Sequence, residues 1–365
     1  MAPFRWAILG TGAVSQTFLL GLEACSKPAT AAVVASRTRS NAERFAADFG
    51  IPVVASSYEE AAASADVDAL YIATPPSAHE AHALAGIAAG KPVLIEKPFA
   101  MDAAAAARIV RAARERRVFC MEGMWTRFQP LIGAVRERLA AGEIGEIRGL
   151  RGEFCGPNRP DASVSNFDPA RGGGALMHKG VYAVSLARLF LGPVAEVSAT
   201  ARIGSTGVDE DCALMLTHEA GSISTIRASN RTMGSNDVLI YGTKGLLHLM
   251  SPIARPTAAR ITVHPESSGG GGHRSMGKLQ RKLAAGLGQG LKQRADFVIR
   301  ALRSAAGRPV AGYYRGNGFN YEADALMAAV AAGATESELM PLEESVEIMT
   351  IVDKARAAWQ GSVPK

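Results

Sequence analysis

The sequence has little cysteine, few aromatic residues and no long apolar stretch. Its 365 residues include four cysteines that lie far apart without a CxxC pair, and only 6% are aromatic. This pattern argues against a metal knuckle and a disulfide framework, so we expect a reducing compartment. No apolar run is long enough to cross a bilayer, and the N-terminus lacks the pattern of a cleaved secretory leader. These absences predict a soluble, cytoplasmic protein without a membrane partner.

The charge balance is mildly basic. Forty Lys and Arg residues against 34 Asp and Glu residues give a formal net charge of +6. The positive net charge favours anionic partners, and a phosphate-bearing cofactor is as suitable an anionic partner as nucleic acid. The basic clusters at Arg111–Arg117 and Arg274–Arg294 lack interleaved aromatic residues, so they predict solvated faces and no nucleic-acid partner. No metal site is expected, because the scattered histidines share no ligand spacing. These are His218, His248, His264 and His273.

The first third of the chain alternates short apolar runs with helical patterns. The apolar runs predict strands at Trp6–Leu9, Ala31–Ala35, Pro52–Ala55, Ala69–Ala73, Val93–Ile95 and Val118–Met121. The segments between them predict helices at Ala13–Ala24, Ser40–Phe49, Tyr58–Ala63, His79–Ala89 and Asp102–Arg116. Such alternation implies βαβ units and a parallel sheet covered by helices on both faces. Residues 1–125 are therefore predicted to form a doubly wound α/β domain.

The pattern changes after residue 125. Helices are predicted at Pro130–Ala141, Gly174–Leu191, Lys278–Ser304, Tyr321–Ala332 and Leu342–Trp359. Strands without intervening helices are predicted at Glu146–Phe154, Glu196–Ile203, Cys212–Thr217, Ser222–Ala228, Asp237–Tyr241 and Leu246–Met250. Turn signals join neighbours as hairpins, so residues 126–365 are predicted to form an α+β domain with a large open, mainly antiparallel sheet. The glycine-rich stretch Glu266–Gly277 is predicted as a loop, and the last helix is expected to pack back on the first domain.

A glycine-rich turn, Gly10-Thr-Gly-Ala-Val-Ser15, connects the first strand to the first helix. The first glycine permits a tight turn, and the second lets the backbone approach a pyrophosphate that the free N–H groups of the helix face. This position in the first βαβ unit predicts a Rossmann dinucleotide site rather than an ordinary glycine turn. The predicted contacts are Gly10, Thr11, Gly12, Ala13 and Val14.

The end of the second strand bears on the choice between NADP and NAD. A carboxylate there would bind the ribose 2′-hydroxyl of NAD, whereas this chain has Ser36, Arg37, Thr38 and Arg39. Arg can pair bidentately with a phosphate and Ser can donate a hydrogen bond to it. We therefore predict NADP, bound by Ser36 and Arg37. NAD remains the alternative if both arginines are only solvated.

Two further motifs follow buried strands. Thr74-Pro-Pro76 follows the fourth strand, with His79 one turn on, and Glu96-Lys-Pro98 follows the fifth. Both lie where open α/β sheets bind ligands. Together with the glycine turn, they resemble the Gfo/Idh/MocA family of NAD(P)-dependent oxidoreductases over essentially the whole chain. Three other segments are most similar to the branch of dimeric dihydrodiol dehydrogenases and NADP-dependent D-xylose dehydrogenases, namely Met121–Phe128, Gly207–Asp211 and Tyr241–Gly245.

The resemblance implies that Lys97 is the central catalytic residue. Hydride transfer between a nicotinamide and a carbonyl needs a proton delivered to, or taken from, the carbonyl oxygen, and an ammonium can supply it. Partial burial and a cationic nicotinamide would lower the Lys97 pKa. The alternative is a surface lysine before a helix-starting proline. The family pattern also implies cofactor contacts, from Thr74, Pro75, His79, Glu96 and Lys97.

The helix at Gly174–Leu191 is expected to supply the second catalytic contribution. The branch has an Asp and a Tyr there, whereas this chain has His178 and Tyr182. Their i, i+4 spacing puts both side chains on one face, so both can reach the substrate, with Tyr182 as proton donor or clamp. An imidazole at 178 replaces the expected anion and alters any relay with Lys97. Each residue could instead be a satisfied structural group.

Residues after the sixth strand are predicted to line the substrate pocket. Trp125 and Phe128, together with Phe154 on the next strand, offer apolar faces for a sugar ring or an aromatic diol, and Arg127 can bind hydroxyls. The alternative for the residues after the sixth strand is packing between the two domains.

These inferences predict an NADP-dependent oxidoreductase that transfers a hydride between nicotinamide and a carbonyl or hydroxyl of a sugar, sugar derivative or vicinal diol. One alternative keeps NAD(P) tightly bound for glycoside cleavage or epimerisation. Another is a non-catalytic NAD(P)-sensing protein, because fold does not fix function; retention of Lys97 argues against it. The resemblance also implies a homodimer or homotetramer through the open sheet.

Overall fold

Two sheets and nine α-helices organise the described part of the chain, which in this computed structural model comprises residues 2–263 and 307–360. Several features predicted from the sequence lie outside these residues. They are the loop Glu266–Gly277, the helix Lys278–Ser304, the basic stretch Arg274–Arg294, His264 and His273.

The first sheet is parallel and has six strands in the order β3-β2-β1-β4-β5-β6. The strands are β1 Phe4–Leu9, β2 Ala29–Ala35, β3 Val53–Val54, β4 Ala69–Ile72, β5 Val93–Glu96 and β6 Cys120–Gly123. The connecting helices are α1 Ala13–Leu22, α2 Arg39–Phe49, α3 Tyr58–Ala63, α4 Pro76–Ala88 and α5 Ala103–Arg116. This arrangement confirms the doubly wound parallel sheet. Helix α4 begins at Pro76 rather than at the expected His79, because proline is pre-organised for the first turn of a helix.

The second sheet has eight strands in the order β14-β13-β12-β11-β7-β10-β9-β8. The strands are β7 Ile147–Cys155, β8 Val194–Ile203, β9 Asp209–His218, β10 Ile223–Ser229, β11 Val238–Gly242, β12 Gly245–Leu249, β13 Ala258–Val263 and β14 Arg308–Ala311. Among the described strand pairs of this second sheet, only β7 and β10 run parallel. The mainly antiparallel sheet is thus confirmed, with its hairpins β9–β10 and β11–β12. The sequence analysis does not predict strands β13 and β14. Strand β14 is a short edge strand that contains Pro309, so its sequence has only a weak strand pattern.

Four more helices complete the described chain, and the last of them joins the two sheets. They are α6 Pro130–Ala140, α7 Val181–Leu191, α8 Phe319–Ala331 and α9 Leu342–Gln360. In α9, Glu343 accepts a hydrogen bond from Arg114 of α5 at 3.3 Å, and Asp353 accepts one from the Ala103 N–H at 2.8 Å. The last helix therefore packs on the helix layer of the first sheet. We propose that residues 1–125 and residues 126–365 form the two domains.

An aromatic stack holds α1 against the parallel sheet. Phe18 of α1 lies with its ring centroid 3.7 Å from that of Tyr71 on β4, at an interplanar angle of 9°, and the edge of Trp6 on β1 meets Phe18 at 5.2 Å. The sheet order reverses between β1 and β4, which opens a crevice at the carboxyl ends of these strands. The stack therefore fixes the N-terminus of α1 at the mouth of this crevice. Within residues 2–263 and 307–360, no helix is both long and apolar enough to cross a bilayer.

Candidate active site

A cavity of about 720 Å³ lies at the carboxyl edge of the parallel sheet. It brings together most of the site residues predicted from the sequence, although these come from both halves of the chain, from Gly10 to Tyr182. The predicted residues that line it are Gly10, Thr11, Gly12, Ala13, Val14, Ser36, Arg37, Thr74, Pro75, Glu96, Lys97, Trp125, His178 and Tyr182.

The glycine turn presents the uncapped N-terminus of α1 to this cavity. Gly10 has φ +104°, and a Cβ built on it would lie 2.6 Å from the Ala73 carbonyl oxygen, so a side chain cannot be accommodated. A Cβ on Gly12 would meet no atom within 4 Å, which leaves room for a ligand to approach the backbone. No side chain caps the N-terminus of α1, and its first N–H groups are thus free to bind an anion. Ser15, in place of the third glycine, donates to the Gly10 carbonyl oxygen at 2.9 Å and fixes the turn.

The end of β2 places one arginine at the cavity and turns the other away. Ser36 and Arg37 line the cavity, and the Ser36 hydroxyl lies 3.2 Å from that of Thr11 in the glycine turn. Arg39 instead donates to Glu43, one turn on in α2, at 2.8 Å. Ser36 occupies the position where NAD-binding proteins carry a carboxylate. This end of the cavity therefore presents a guanidinium and hydroxyls.

His79 lies behind the cavity wall rather than on its surface. Its ring nitrogens contact two carbonyl oxygens, Nδ1 that of Pro98 at 3.0 Å and Nε2 that of Thr74 at 2.8 Å. Burial lowers the His79 pKa to about 4. The neutral ring donates to one of these carbonyl oxygens and is packed between the loops after β4 and β5, so it is not placed to contact a cofactor directly.

The amine of Lys97 lies between the parallel sheet and the segment that leads into α7. Residues Leu176–Gly180 form a π-helical turn continuous with α7, and the Lys97 Nζ donates to the His178 carbonyl oxygen at 3.2 Å. The same Nζ lies 5.1 Å from the ring centroid of Tyr182. Burial lowers the Lys97 pKa, while the nearby carboxyls of Glu96 and Glu122 oppose that effect.

The imidazole of His178 is electrically neutral and lacks a partner at one nitrogen. Burial and the charge of Lys97 lower its pKa to about 3. Its Nε2 has no hydrogen-bond partner among the described residues. A neutral ring can both donate and accept a proton at its two nitrogens, so His178 brings a different chemistry from the carboxylate expected in the family.

The phenol of Tyr182 is oriented by an indole. Trp125 donates from Nε1 to the Tyr182 hydroxyl oxygen at 3.1 Å, and the Phe154 ring packs edge-on against Tyr182 at 5.5 Å. Phe154 thus supports Tyr182 and is not among the residues that line the cavity. Phe319, the first residue of α8, stacks on Trp125 with centroids 4.5 Å apart. Burial raises the Tyr182 pKa above its ordinary value, so the phenol stays protonated at neutral pH.

Arg127 and Phe128 pack inside the protein. The Arg127 side chain is 1% exposed and forms an ion pair with Glu344 of α9. It also donates to the Ser185 hydroxyl at 2.7 Å and to the Ser185 carbonyl oxygen at 2.8 Å. Phe128 is buried beside it. Arg127 and Phe128 therefore have the packing role between β6, α7 and α9 that is the alternative prediction for them. The structure does not bring either residue to the cavity.

Some cavity residues have no motif in the sequence. Ser165, Asn166 and Arg171 come from the irregular segment between β7 and the π-helical turn, and Tyr58 and Phe319 are the first residues of helices. Only the position of Arg171 directly before three glycines could have drawn attention to that segment. Among the described residues, no group of three or more His, Cys, Asp or Glu side chains is arranged to hold a metal ion.

Comparison with known proteins gives consistent matches along the chain. Residues 4–124 match the family model of an oxidoreductase family with an NAD-binding Rossmann fold. Residues 132–248 match that of the GFO/IDH/MocA C-terminal domain. The chain is 32% identical to trans-1,2-dihydrobenzene-1,2-diol dehydrogenase of Bos taurus, over 97% of this chain and 96% of the relative. It is 30% identical to the Homo sapiens enzyme of the same name, over 99% and 98%.

Solved structures share the fold at lower identity. The 3-ketoreductase KijD10 from Actinomadura kijaniata, in complex with NADP and TDP-benzene, superposes with a TM-score of 0.78 at 24% identity, over 98% of each chain. Levoglucosan dehydrogenase, in complex with NADH and levoglucosan, superposes with a TM-score of 0.80 at 18% identity, over 99% of this chain and 98% of the other. The chain therefore belongs to the GFO/IDH/MocA family of oxidoreductases, whose N-terminal part is an NAD-binding Rossmann fold.

Proposed function

We propose that this protein is an NADP-dependent oxidoreductase that transfers a hydride between nicotinamide and a carbonyl or hydroxyl of a sugar, sugar derivative or vicinal diol. One observation carries the proposal. The Lys97 amine, the Tyr182 phenol and the His178 imidazole converge on a cavity that also contains the glycine turn and Arg37. The curated relatives are named as dehydrogenases of a diol, and a structural neighbour is a dehydrogenase solved with a sugar derivative.

The residues present fit a dinucleotide. The uncapped N-terminus of α1 and the open space at Gly12 suit a pyrophosphate, and Arg37 with Ser36 suits the 2′-phosphate of NADP. Thr74, Pro75 and Glu96 line the stretch between the glycine turn and Lys97. When bound, the nicotinamide supplies the hydride donor or acceptor that no side chain of this chain can provide.

Lys97 acts as the general acid in carbonyl reduction and as the general base in alcohol oxidation. Its lowered pKa brings proton transfer closer to neutral pH, where general acid–base catalysis is most effective. The bond to the His178 carbonyl oxygen holds Nζ in place. An ammonium in a largely buried position also stabilises negative charge that develops on the substrate oxygen.

Tyr182 and His178 orient the substrate around this amine. The Tyr182 oxygen accepts from Trp125, which leaves the phenol proton available for a substrate oxygen. His178 also lines the cavity and places a neutral polar ring beside the substrate. Trp125 and Phe319 form a stacked aromatic wall that suits the apolar face of a sugar ring or of a cyclic diol.

The outer face of the second sheet is the proposed contact between subunits. Met215 on β9, Ile223 on β10 and Tyr241 on β11 are 49%, 48% and 41% exposed. Exposed apolar residues that cluster on a sheet face mark association sites. We therefore propose a homodimer or homotetramer through this face.

The proposed function is tested by a spectroscopic screen of NADPH oxidation against a library of ketoses, aldoses and dicarbonyls, followed by NADP reduction with the matching alcohols. The expected result is turnover with at least one carbonyl and reversal with its alcohol. Absence of turnover throughout, in protein shown to bind NADPH, would contradict it.

A further inference from the structure

Three glutamates lie buried beside Lys97 and Tyr182. Only one of them, Glu96, has a part in the proposed function. Glu96 ends β5, Glu122 lies in β6 and Glu322 lies in the first turn of α8. They are 5%, 1% and 0% exposed. An isolated carboxylate is costly to bury, so each must be paired, hydrogen-bonded or protonated.

The hydrogen bonds distinguish Glu96 from Glu322. The Tyr71 hydroxyl donates to Glu96 Oε1 at 2.6 Å, and the Lys97 backbone N–H donates to Glu96 Oε2 at 3.2 Å. Neither carboxyl oxygen of Glu322 has a hydrogen-bond partner in the part of the chain that the structure describes. Donors stabilise the ionised form of a carboxyl, so Glu96 is built to carry charge and Glu322 is not.

The Glu322 carboxyl lies beside the strand position of Glu96. Gly123 of β6 pairs with Glu96 of β5 in the parallel sheet, so a Cβ on Gly123 would point to the same face as the Glu96 side chain. A Cβ built there would lie 3.5 Å from Glu322 Oε2 and 3.5 Å from the backbone Cα of Glu96. The missing side chain of Gly123 thus leaves room for the Glu322 carboxyl next to Glu96. Two carboxylates that share a site cannot both ionise without a large cost, so one of them retains its proton.

We propose that Glu96 and Glu322 form one buried acid pair that holds a single proton on Glu322, and that the one negative charge of this pair favours the ammonium form of Lys97 over its free amine. Neither acid is proposed to touch substrate. Glu322 is a positioning residue, whereas Glu96 lines the cavity and is also a proposed cofactor contact. The inference deepens the proposed function and rests on the role given there to Lys97.

The surrounding charges agree with this division. The environment raises the pKa of Glu322 well above its ordinary value, because of burial and the charge of Glu96. Burial also raises the Glu96 pKa, but Lys97 and the Tyr71 hydroxyl oppose that rise. Glu122, the third acid, has a pKa raised to about 7 by burial. On the α7 side, Lys97 faces the neutral groups of Tyr182 and His178. Among the carboxyls, the charge of Glu96 raises the Lys97 pKa more than that of Glu122 does.

An infrared titration of the intact protein tests where the proton resides. A protonated carboxyl has a C=O band that is separate from carboxylate bands and shifts in D₂O. We expect such a band in wild type at neutral pH, its loss in Glu322→Gln and its retention in Glu96→Gln. Glu122→Gln is the matched control, since it should remove only a band that titrates near pH 7. Absence of any band assignable to Glu322 would overturn the proposal.

Competitive acylation of Lys97 as a function of pH, read by peptide mass spectrometry, tests the effect on the amine without any substrate. Glu96→Gln should lower the Lys97 pKa by about one unit or more, because an adjacent anion shifts a neighbouring pKa by that order. Glu322→Gln, a neutral isostere of the protonated acid, should leave it unchanged. Equal shifts in both variants would show that both acids are ionised and would overturn the proposal.

A third variant covers the possibility that Glu96→Gln does not fold. Tyr71→Phe keeps the ring that stacks on Phe18 and removes only the donor to Glu96. In this variant Glu96 should become protonated as well, so a second protonated-carboxyl band should appear and the Lys97 pKa should fall. An unchanged spectrum and an unchanged acylation profile would contradict the proposed acid pair. Because neither readout requires turnover, failure of the proposed reaction is distinguishable from failure of this inference.

Discussion

The indole Nε1 of Trp125 lies 3.1 Å from the phenol oxygen of Tyr182 and donates a hydrogen bond to it. Trp125 follows β6 of the parallel sheet, whereas Tyr182 belongs to α7 beneath the second sheet. The bond therefore joins the two halves of the chain at the floor of the cavity. It also leaves the phenol proton free to point at a ligand.

Replacement of this phenol tests its proposed role in the reaction. Tyr182→Phe should lower kcat about 10-fold, because loss of a hydrogen bond that orients the substrate oxygen costs about 0.5–1.5 kcal/mol, and should change the Kd for NADPH less than threefold. Steady-state kinetics and a fluorescence titration measure the two quantities. Tyr313→Phe, at a tyrosine that is 90% exposed, is the control and should match wild type. A Tyr182→Phe enzyme with normal kcat would remove Tyr182 from the mechanism.

The choice between NADP and NAD depends on Arg37. Arg37→Asp should weaken NADPH binding 10- to 100-fold, since a charge-assisted hydrogen bond contributes about 1.5–3 kcal/mol, and should leave NADH binding equal or stronger. Arg39→Asp is the matched control because Arg39 is held by Glu43, and it should keep the wild-type preference. Fluorescence titrations measure the affinity of each protein for NADPH and for NADH. If wild type binds NADH as tightly as NADPH, the predicted cofactor is wrong.

Acid should destabilise the protein partly through His178. The His178 pKa is about 3 in the folded state against 6.5 unperturbed. At pH values between these two, the imidazole is protonated in the unfolded chain and neutral in the folded protein. Stability is therefore fully present above pH 6.5 and falls as pH drops towards 3. His178→Gln removes this loss, and its free energy of unfolding should fall about 2 kcal/mol less than that of wild type between neutral pH and about pH 4.5. Urea titrations at a series of pH values measure the difference. Parallel pH profiles would mean that the folded protein does not lower the His178 pKa.

The fold could be predicted from the sequence where burial leaves an unambiguous pattern. Strand β4, Ala69–Ile72, is apolar at every position because helices cover both faces of the sheet. The glycine turn and the Glu96-Lys97 pair could be placed together because the carboxyl ends of parallel strands meet at one edge. Strand β14 could not be predicted, since its pairing with β13 depends on tertiary contacts and its Pro309 argues against a strand.

The site was less predictable wherever a residue's role depends on a distant partner. Arg127 follows β6 like Trp125, yet its ion pair with Glu344, more than 200 residues on, takes it out of the cavity. His79 carries the motif of a cofactor contact but is held by the Pro98 and Thr74 carbonyls. Glu322 has no local signal at all, because its burial beside Gly123 depends on a contact between residues about 200 positions apart in the chain.

The central claim is that the Lys97 amine moves the proton that accompanies hydride transfer. Its most direct test is the single-turnover rate of NADPH oxidation in Lys97→Met, with a carbonyl that wild type reduces and with NADPH binding measured in parallel. We expect the rate to fall at least about 100-fold while the Kd for NADPH stays within threefold. A variant that binds NADPH normally and transfers hydride at the wild-type rate would contradict the account.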